Sequence, residues 1–354
     1  MAWKLYDNWI SNWENHLCFR STDRVVRPFE WGLDAVEHWG AARRLNRNGH
    51  NDEQWLHAIN QAAIADSEEL FAYETPADFS LADGLLRFTS PAPSPHPQNN
   101  TVHGQWYPMP RREGKRNDRA VIVLPHWNAS LNQHGGLCRG IQKFGIPSLR
   151  LSLPYHDYRM PPELTRADYA VSSNLGRTLE ATRQAVIDLR CAVDWLQQQG
   201  YSEIGVVGTS LGSCYAFLAS AHDPRIKVNV FNHCSSNFGD VVWTGLSTLH
   251  IKETVQQHLD RERLRNMWQA ISPVNYMARF AELSRGGKKK SHFIYAKYDT
   301  TFLPELSEEI MQCVRDHGID HRLSVLPCGH YTVGETPFKF MDGYLIVSTF
   351  LKWL

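Results

Sequence analysis

The sequence predicts an α/β fold with a doubly wound, mostly parallel sheet. Short apolar runs alternate with helical stretches from residue 120 onward, and they are predicted strands at 120–124, 148–153, 203–207, 227–231, 292–296 and 322–326. The clearest helix spans 178–199, carries one apolar stripe and is followed by Gly200. Because strands that alternate with helices form a parallel sheet, we expect ligands at the carboxyl ends of the strands.

Composition excludes several classes of protein. The chain has 354 residues, and 37 basic residues balance 37 acidic ones, so net charge does not indicate a nucleic-acid partner. The seven cysteines form no C-x-x-C pair, which favours reduced thiols in a cytoplasmic protein. The first residues lack the pattern of a secretory signal, and no run approaches about 18 apolar residues, so we expect no membrane span. The sequence does not predict the oligomeric state.

The segment before the alternating region divides in two. Residues 1–80 are predicted to be a helical, aromatic-rich extension that packs on the main domain at 81–354, rather than a separate binding module. Within the extension, Tyr6, Trp9, Trp13 and Leu17 recur at helical spacing. The rest of the segment is predicted to contain two hairpin strands, at 85–89 and 101–107, with a proline-rich turn between them at 91–100. A charged loop is predicted at 111–119.

One interval is too long for a simple crossover. About sixty residues separate the strand ending near 231 from the one starting at 292. We therefore predict an insertion at about 235–290 that forms a helical lid over the carboxyl edge of the sheet. Its aromatic residues Phe238, Trp243 and Trp268 are candidates for an apolar substrate pocket, with core packing as the alternative.

The most informative motif lies at residues 203–220, where an apolar strand, a tight turn and a small-residue helix follow one another. The turn reads Gly208-Thr209-Ser210-Leu211-Gly212, the Gly-X-Ser-X-Gly pattern of a nucleophile elbow. Ser210 is therefore the candidate nucleophile. The Leu211 N–H opens the helix and is free to bind an oxyanion, since amides of the first turn have no partner within the helix.

A serine nucleophile requires an imidazole base and a carboxylate that orients it. The chain supplies both in the expected order, each after a predicted strand: Asp299 follows the strand at 292–296, and His330 follows the strand at 322–326. The alternatives for the acid are Glu305, Glu335 and Asp240.

The loop after the first core strand should supply the second oxyanion donor. It reads Pro125-His126-Trp127-Asn128, which makes the Asn128 N–H the predicted donor and the Trp127 N–H the second choice. His126 is interpreted as a hydrogen-bonding residue near the substrate, because no partner at metal-ligand spacing follows it.

Together these motifs make residues 100–354 resemble the α/β-hydrolase superfamily. The helix before the elbow, Asp188-Leu189-Arg190-Cys191-Ala192-Val193-Asp194-Trp195-Leu196, is similar to the D-x-x-x-A-x-D-x-L pattern of dienelactone hydrolases, acetyl xylan esterases and abhydrolase-domain proteins. The resemblance implies a serine carboxylesterase that needs no metal and no organic cofactor.

The predicted reaction is hydrolysis of a small to medium ester through an acyl-enzyme. The same triad would serve a thioesterase, an acyltransferase or a peptidase, so these remain alternatives. A catalytically silent hydrolase fold used for binding is the alternative outside enzymes.

Overall fold

The computed structural model describes residues 2–20, 22–110 and 118–354. Nine strands of these ranges form one sheet: β1 (Ser80–Ala82), β2 (Leu85–Thr89), β3 (Thr101–Tyr107), β4 (Arg119–Leu124), β5 (Ser148–Leu151), β6 (Glu203–Thr209), β7 (Ile226–Asn232), β8 (Lys290–Ala296) and β9 (His321–Leu326). The six predicted core strands are all present, within three residues at either end; five of them are largely buried, and β9, at the edge of the sheet, is mostly half-buried or exposed.

The strand order is β1-β2-β3-β5-β4-β6-β7-β8-β9. The first three strands run antiparallel to their neighbours, and the other six strands, β4 to β9, pair with one another in parallel. Parallel strands end at one edge, so the residues that follow β4, β6, β7, β8 and β9 meet there. This is the doubly wound, mostly parallel sheet that the sequence predicts.

Helices cover both faces of the sheet. They are α1 (Ala2–Phe19), α2 (Gly40–Arg43), α3 (Asp52–Ala65), α4 (Ser67–Leu70), α5 (Gly135–Lys143), α6 (Leu175–Gln198), α7 (Leu211–His222), α8 (Phe238–Thr244), α9 (Leu249–Val255), α10 (Arg261–Met267), α11 (Met277–Ser284), α12 (Pro304–Asp316) and α13 (Phe338–Trp353). One core lies between the sheet and α3, α6, α7 and α11, and a second lies between the sheet and α1, α5 and α13.

The N-terminal segment and the insertion pack on the rest of the chain. From α1, Ile10 is buried in one core, and from α3, Trp55 and Ile59 are buried in the other. The insertion between β7 and β8 carries α8 to α11, and its α10 packs against α3. The division at residue 80 and the role of the insertion as a lid stay predictions.

Most of the predicted charged loop at 111–119 lies outside the described residues, at 111–117. Within the described part of the chain, every helix is too short or too polar to cross a membrane.

Candidate active site

The predicted elbow is present at the end of β6. Ser210 has φ 55° and ψ −119°, a left-handed backbone conformation that is strained for a residue with a side chain. Its N–H donates to the Asn232 carbonyl of the neighbouring strand at 2.8 Å, which holds the turn against the sheet. Ser210 is 6% exposed and is the N-cap residue of α7, so it lies at the carboxyl edge of the sheet, directly before the N-terminus of the helix.

The two glycines of the elbow are required by close backbone contacts. A Cβ on Gly208 would overlap the Gly212 carbonyl, and a Cβ on Gly212 would lie 2.5 Å from the Pro125 carbonyl oxygen. The strand, the turn and the helix therefore approach each other only because neither position carries a side chain. This is the steric reason for the Gly-X-Ser-X-Gly spacing.

Asp299 and His330 are brought together by the turns after β8 and β9. His330 Nδ1 donates to Asp299 Oδ2 at 3.1 Å, and the amides of Thr301 and Phe302 donate to Asp299 Oδ1 at 2.8 and 2.7 Å. Burial raises the pKa of Asp299, but the His330 charge and the hydrogen bonds from the histidines outweigh it and hold the pKa below its ordinary value. Asp299 is therefore a carboxylate that accepts from His330 Nδ1 and leaves Nε2 as the basic nitrogen.

His233 contacts the same carboxylate, and sequence reasoning missed it. It follows β7 with φ 58°, and its Nδ1 donates to Asp299 Oδ2 at 2.7 Å. Its other nitrogen, Nε2, is buried and has no hydrogen-bond partner among the residues that the structure describes. The signal was its position directly after a core strand, next to the strand of the nucleophile. Within the described residues, His233, Asp299 and His330 also form a group with metal-ligand spacing, but one proton on each Nδ1 accounts for both contacts.

The oxyanion donors are only partly as predicted. Leu211 is the first residue of α7, and its N–H has no partner among the described residues. The Asn128 N–H donates to His156 Nε2 at 2.9 Å, so it is occupied in this structure, contrary to the prediction of a free donor. Trp127, the second choice, borders both cavities beside Ser210.

Two cavities meet at Ser210. One is small, about 40 Å³, and apolar; Leu211, Cys214, Phe238 and Val241 are among its lining residues. The other is a polar cleft of about 490 Å³. It is bordered by Arg20, Arg24, His126, Ser210, His233 and His330, among others. The Ser210 and His330 side chains share this cleft, although no hydrogen bond joins them here, as is common when no substrate is bound.

The structure separates the predicted substrate residues. Phe238 lines the apolar cavity and His126 lines the cleft. Trp268 is fully buried and donates from Nε1 to the Leu175 carbonyl at 3.1 Å, so it is a core residue and not a pocket residue. Trp243 lies under Lys252 and borders neither cavity at Ser210.

The alternative acids are engaged or placed elsewhere. Asp240 is buried in α8 and pairs with Arg261 at 2.8 Å and with Arg265 at 2.5 Å, both from α10. Glu305 is exposed, and Glu335 is half-buried at the border of the polar cleft. Of the four acids, only Asp299 contacts His330.

Comparisons with known proteins agree with this fold. A family model described as "Alpha/beta hydrolase domain containing 18" matches residues 81–245. Comparison with curated protein sequences finds no match. Among solved structures, the acetyl xylan esterase of Paenibacillus sp. R4 is 13% identical with a TM-score of 0.58, covering 91% of this chain and 99% of that one. Acetyl xylan esterase 1 of Thermoanaerobacterium sp. JW/SL YS485 is also 13% identical, with a TM-score of 0.57 and coverages of 92% and 99%.

The acylaminoacyl peptidase of Pyrococcus horikoshii is 13% identical with a TM-score of 0.57 over 78% of this chain. This chain spans 42% of the length of that peptidase. The sheet order, the elbow at Ser210 and these matches lead to one assignment: the chain has the α/β-hydrolase fold, and its residues 81–245 match the α/β-hydrolase domain family.

Proposed function

We propose that this protein is a serine hydrolase that cleaves carboxylic esters through an acyl-enzyme on Ser210. The supporting observation is that a strained elbow serine and a histidine held by the buried Asp299 border one cleft, although the three residues are far apart in sequence. A strained backbone that places a hydroxyl beside an oriented imidazole is typical of a nucleophile. The strain itself lowers the stability of the fold, and the surrounding structure has to compensate for it.

The chemical steps follow from the tautomer of His330. Because Nδ1–H donates to Asp299, Nε2 carries the lone pair and takes the proton of Ser210 as Oγ attacks the ester carbonyl. The tetrahedral intermediate collapses when the C–O bond to the alcohol breaks and Nε2–H protonates that alcohol. Water then attacks the acyl-enzyme, giving its proton to Nε2, and the acid leaves as the proton returns to Ser210 Oγ.

We assign the Leu211 N–H as one oxyanion donor, since it is the free first amide of α7. The Trp127 N–H is the second donor, because the Asn128 N–H is held by His156. Each such donor contributes about 3–4 kcal/mol of transition-state stabilisation in serine hydrolases.

The two cavities suggest how the ester binds. The apolar cavity beside Phe238 takes the acyl group, and its small volume favours acetyl and propionyl over longer chains. The polar cleft takes the alcohol, for which it has more than ten times the volume.

Two measurements test this proposal. The wild-type protein should react with a fluorophosphonate at Ser210 and hydrolyse p-nitrophenyl acetate faster than the octanoate. Ser210→Ala should lose both reactions, with a rate lower by about a thousandfold or more and unchanged thermal unfolding. A fully active Ser210→Ala variant would exclude the nucleophile, and an unlabelled wild-type protein would favour a silent binding fold.

A further inference from the structure

Glu14 of α1 is a buried carboxylate whose hydrogen-bond partners all lie next to the proposed triad. Its side chain is 0% exposed. Its oxygens accept from the Tyr331 N–H at 2.9 and 3.1 Å and from the Thr332 N–H at 2.9 Å. They also accept from the hydroxyls of Thr332 at 3.0 Å and Thr300 at 3.1 Å.

These partners come from both catalytic loops. Tyr331 and Thr332 directly follow His330, and Thr300 directly follows Asp299. A buried carboxylate is costly unless it is hydrogen-bonded, so four donor groups on one side chain are a built arrangement and not incidental packing. Glu14 therefore joins the loop of the base to the loop of the acid.

Gly329, the residue before His330, leaves room for this carboxylate because it has no side chain. A Cβ on Gly329 would lie 2.5 Å from Glu14 Oε2 and would push the carboxylate off the loop. The Gly329 N–H donates to the Thr332 hydroxyl at 2.7 Å, and that hydroxyl donates to Glu14. A Cβ on Gly329 would also lie 2.6 Å from the Tyr298 carbonyl oxygen, so the glycine leaves room both for Glu14, more than three hundred positions away, and for the backbone before Asp299.

Helix α1 holds the same loops at two further points. The Tyr6 hydroxyl donates to the carbonyl of Pro327, which lies three residues before His330. The hydroxyl of Tyr298, which directly precedes Asp299, donates to Asp7 of α1. The N-terminal helix is therefore bonded to both catalytic loops along its length, with its one fully buried carboxylate between them.

We propose that Glu14 is a positioning residue that holds His330 and Asp299 in their catalytic geometry, so that α1 is part of the active site. This inference rests on the proposed function. It gives the N-terminal segment a role in catalysis that its sequence, an aromatic amphipathic helix, does not indicate.

The charge of Glu14 also acts on His330. The groups that face this imidazole are Asp299 after β8, His233 after β7, His126 after β4, Tyr331 on its own loop and Glu14 on α1. Burial lowers the pKa of His330, but the charge of Asp299, its hydrogen bond and the charge of Glu14 outweigh burial and raise it. Neutralising Glu14 removes one of these anions.

The test is Glu14→Gln, which keeps the side-chain volume but puts an amide NH₂ where a carboxylate oxygen accepts hydrogen bonds. We expect kcat for p-nitrophenyl acetate to fall by about tenfold to a hundredfold with little change in KM, since the cleft is intact. The acid limb of the pH–rate profile should move to lower pH. The matched control is Glu37→Gln, an exposed residue paired with Arg47, which should leave kcat and the acid limb unchanged.

A second pair of variants covers the case in which Glu14→Gln does not fold. Thr332→Val loses the hydroxyl that links Gly329 to Glu14, and Thr332→Ser keeps it, so only Thr332→Val should lower kcat. A folded Glu14→Gln with wild-type kcat and acid limb, or equal rates for the two Thr332 variants, would overturn the inference. If the wild-type protein itself neither hydrolyses the ester nor reacts with a fluorophosphonate, it is the proposed function that fails.

Discussion

At the scale of single residues, the site is organised around one carboxylate with two imidazoles. Asp299 Oδ2 accepts from both His330 and His233, while Oδ1 accepts from two backbone amides. The amides fix the carboxylate, and the two histidines share the oxygen that carries the catalytic contact. The two imidazole rings therefore lie close together, with their centroids 5.0 Å apart.

The pH dependence of hydrolysis follows from the shift at His330. Its pKa lies above the ordinary value, and only the neutral imidazole can accept the Ser210 proton. Activity should therefore be complete at high pH and fall as pH drops, with the midpoint of kcat/KM above about 6.5. A stopped-flow or plate assay from pH 5 to 9, corrected with Ser210→Ala, measures it. A midpoint below that value, or a flat profile, would contradict a histidine base in this environment.

His233 gives a second test at this scale. In His233→Phe, Asp299 loses one hydrogen bond and its full charge acts on His330, so the acid limb should move to higher pH. We expect kcat to fall by about tenfold, since the carboxylate is less firmly held.

The matched control is His292→Phe, which removes a buried histidine of β8 that is hydrogen-bonded to Thr349 and Ser324. It should lower the melting temperature without moving the acid limb. Equal effects of the two variants on the pH profile would argue against a specific role for His233.

The sequence predicts the residues whose signal is local and misses those whose partners are remote. Ser210 is visible because glycines flank it, and His330 because a glycine and a strand precede it. Glu14 and His233 gain their meaning from contacts with residues more than sixty positions away, which no local pattern contains. Asn128 was predicted as an oxyanion donor only from its position in the loop after β4, and in the structure its N–H donates to His156 instead.

At the scale of elements, the elbow depends on the close approach of β6 and α7. Gly208→Ala should lower the free energy of unfolding by about 3 kcal/mol, because its Cβ meets backbone atoms that cannot move aside. The control is Gly136→Ala in α5, where a Cβ meets nothing within 4 Å. That variant should gain about 0.5–1 kcal/mol from helix propensity. Urea unfolding of both proteins decides it, and equal stabilities would refute the steric argument.

Elements were predicted where one period dominates the sequence. The core strands and the helix over 178–199 have continuous apolar faces, and α6 indeed spans Leu175–Gln198. The strand β1 was missed because its three residues are all exposed and are ordered only by pairing with β2. Within the insertion, residues 249–267 form two helices, α9 and α10, since the Asp260 side chain caps the second by accepting from the Arg263 N–H.

At the scale of the whole molecule, the N-terminal segment joins the two cores. Ile10 lies in the core beside α13, while Leu56 and Ile59 lie in the core beside α6. A segment outside the predicted hydrolase region is thus buried on both faces of the sheet. The packing of this segment could not be predicted, because its aromatic pattern indicates an amphipathic helix but not its partner.

Folding stability should depend on pH through Asp342 of α13. Burial raises the pKa of this carboxyl to about 6, although His233 and the hydrogen bond from Asn232 oppose the rise. A carboxyl whose pKa is higher in the folded than in the unfolded protein stabilises the fold at pH values below its unfolded-state pKa, near 4. That contribution is lost as pH rises through the folded-state pKa of about 6. Ionised Asp342 therefore opposes folding at neutral pH.

Asp342→Asn removes that ionisation and keeps an acceptor for the Asn232 amide. Its new NH₂ can also donate to Asn232 Oδ1, which is buried and has no hydrogen-bond partner in the described part of the chain. We expect the variant to be more stable than the wild-type protein by about 1–2 kcal/mol at pH 8, less than the full shift because the residue is partly exposed. The gain should shrink toward zero at pH 4. Urea unfolding at both pH values measures the difference, and a gain that is the same at pH 4 and pH 8 would show that the ionisation of Asp342 does not oppose folding.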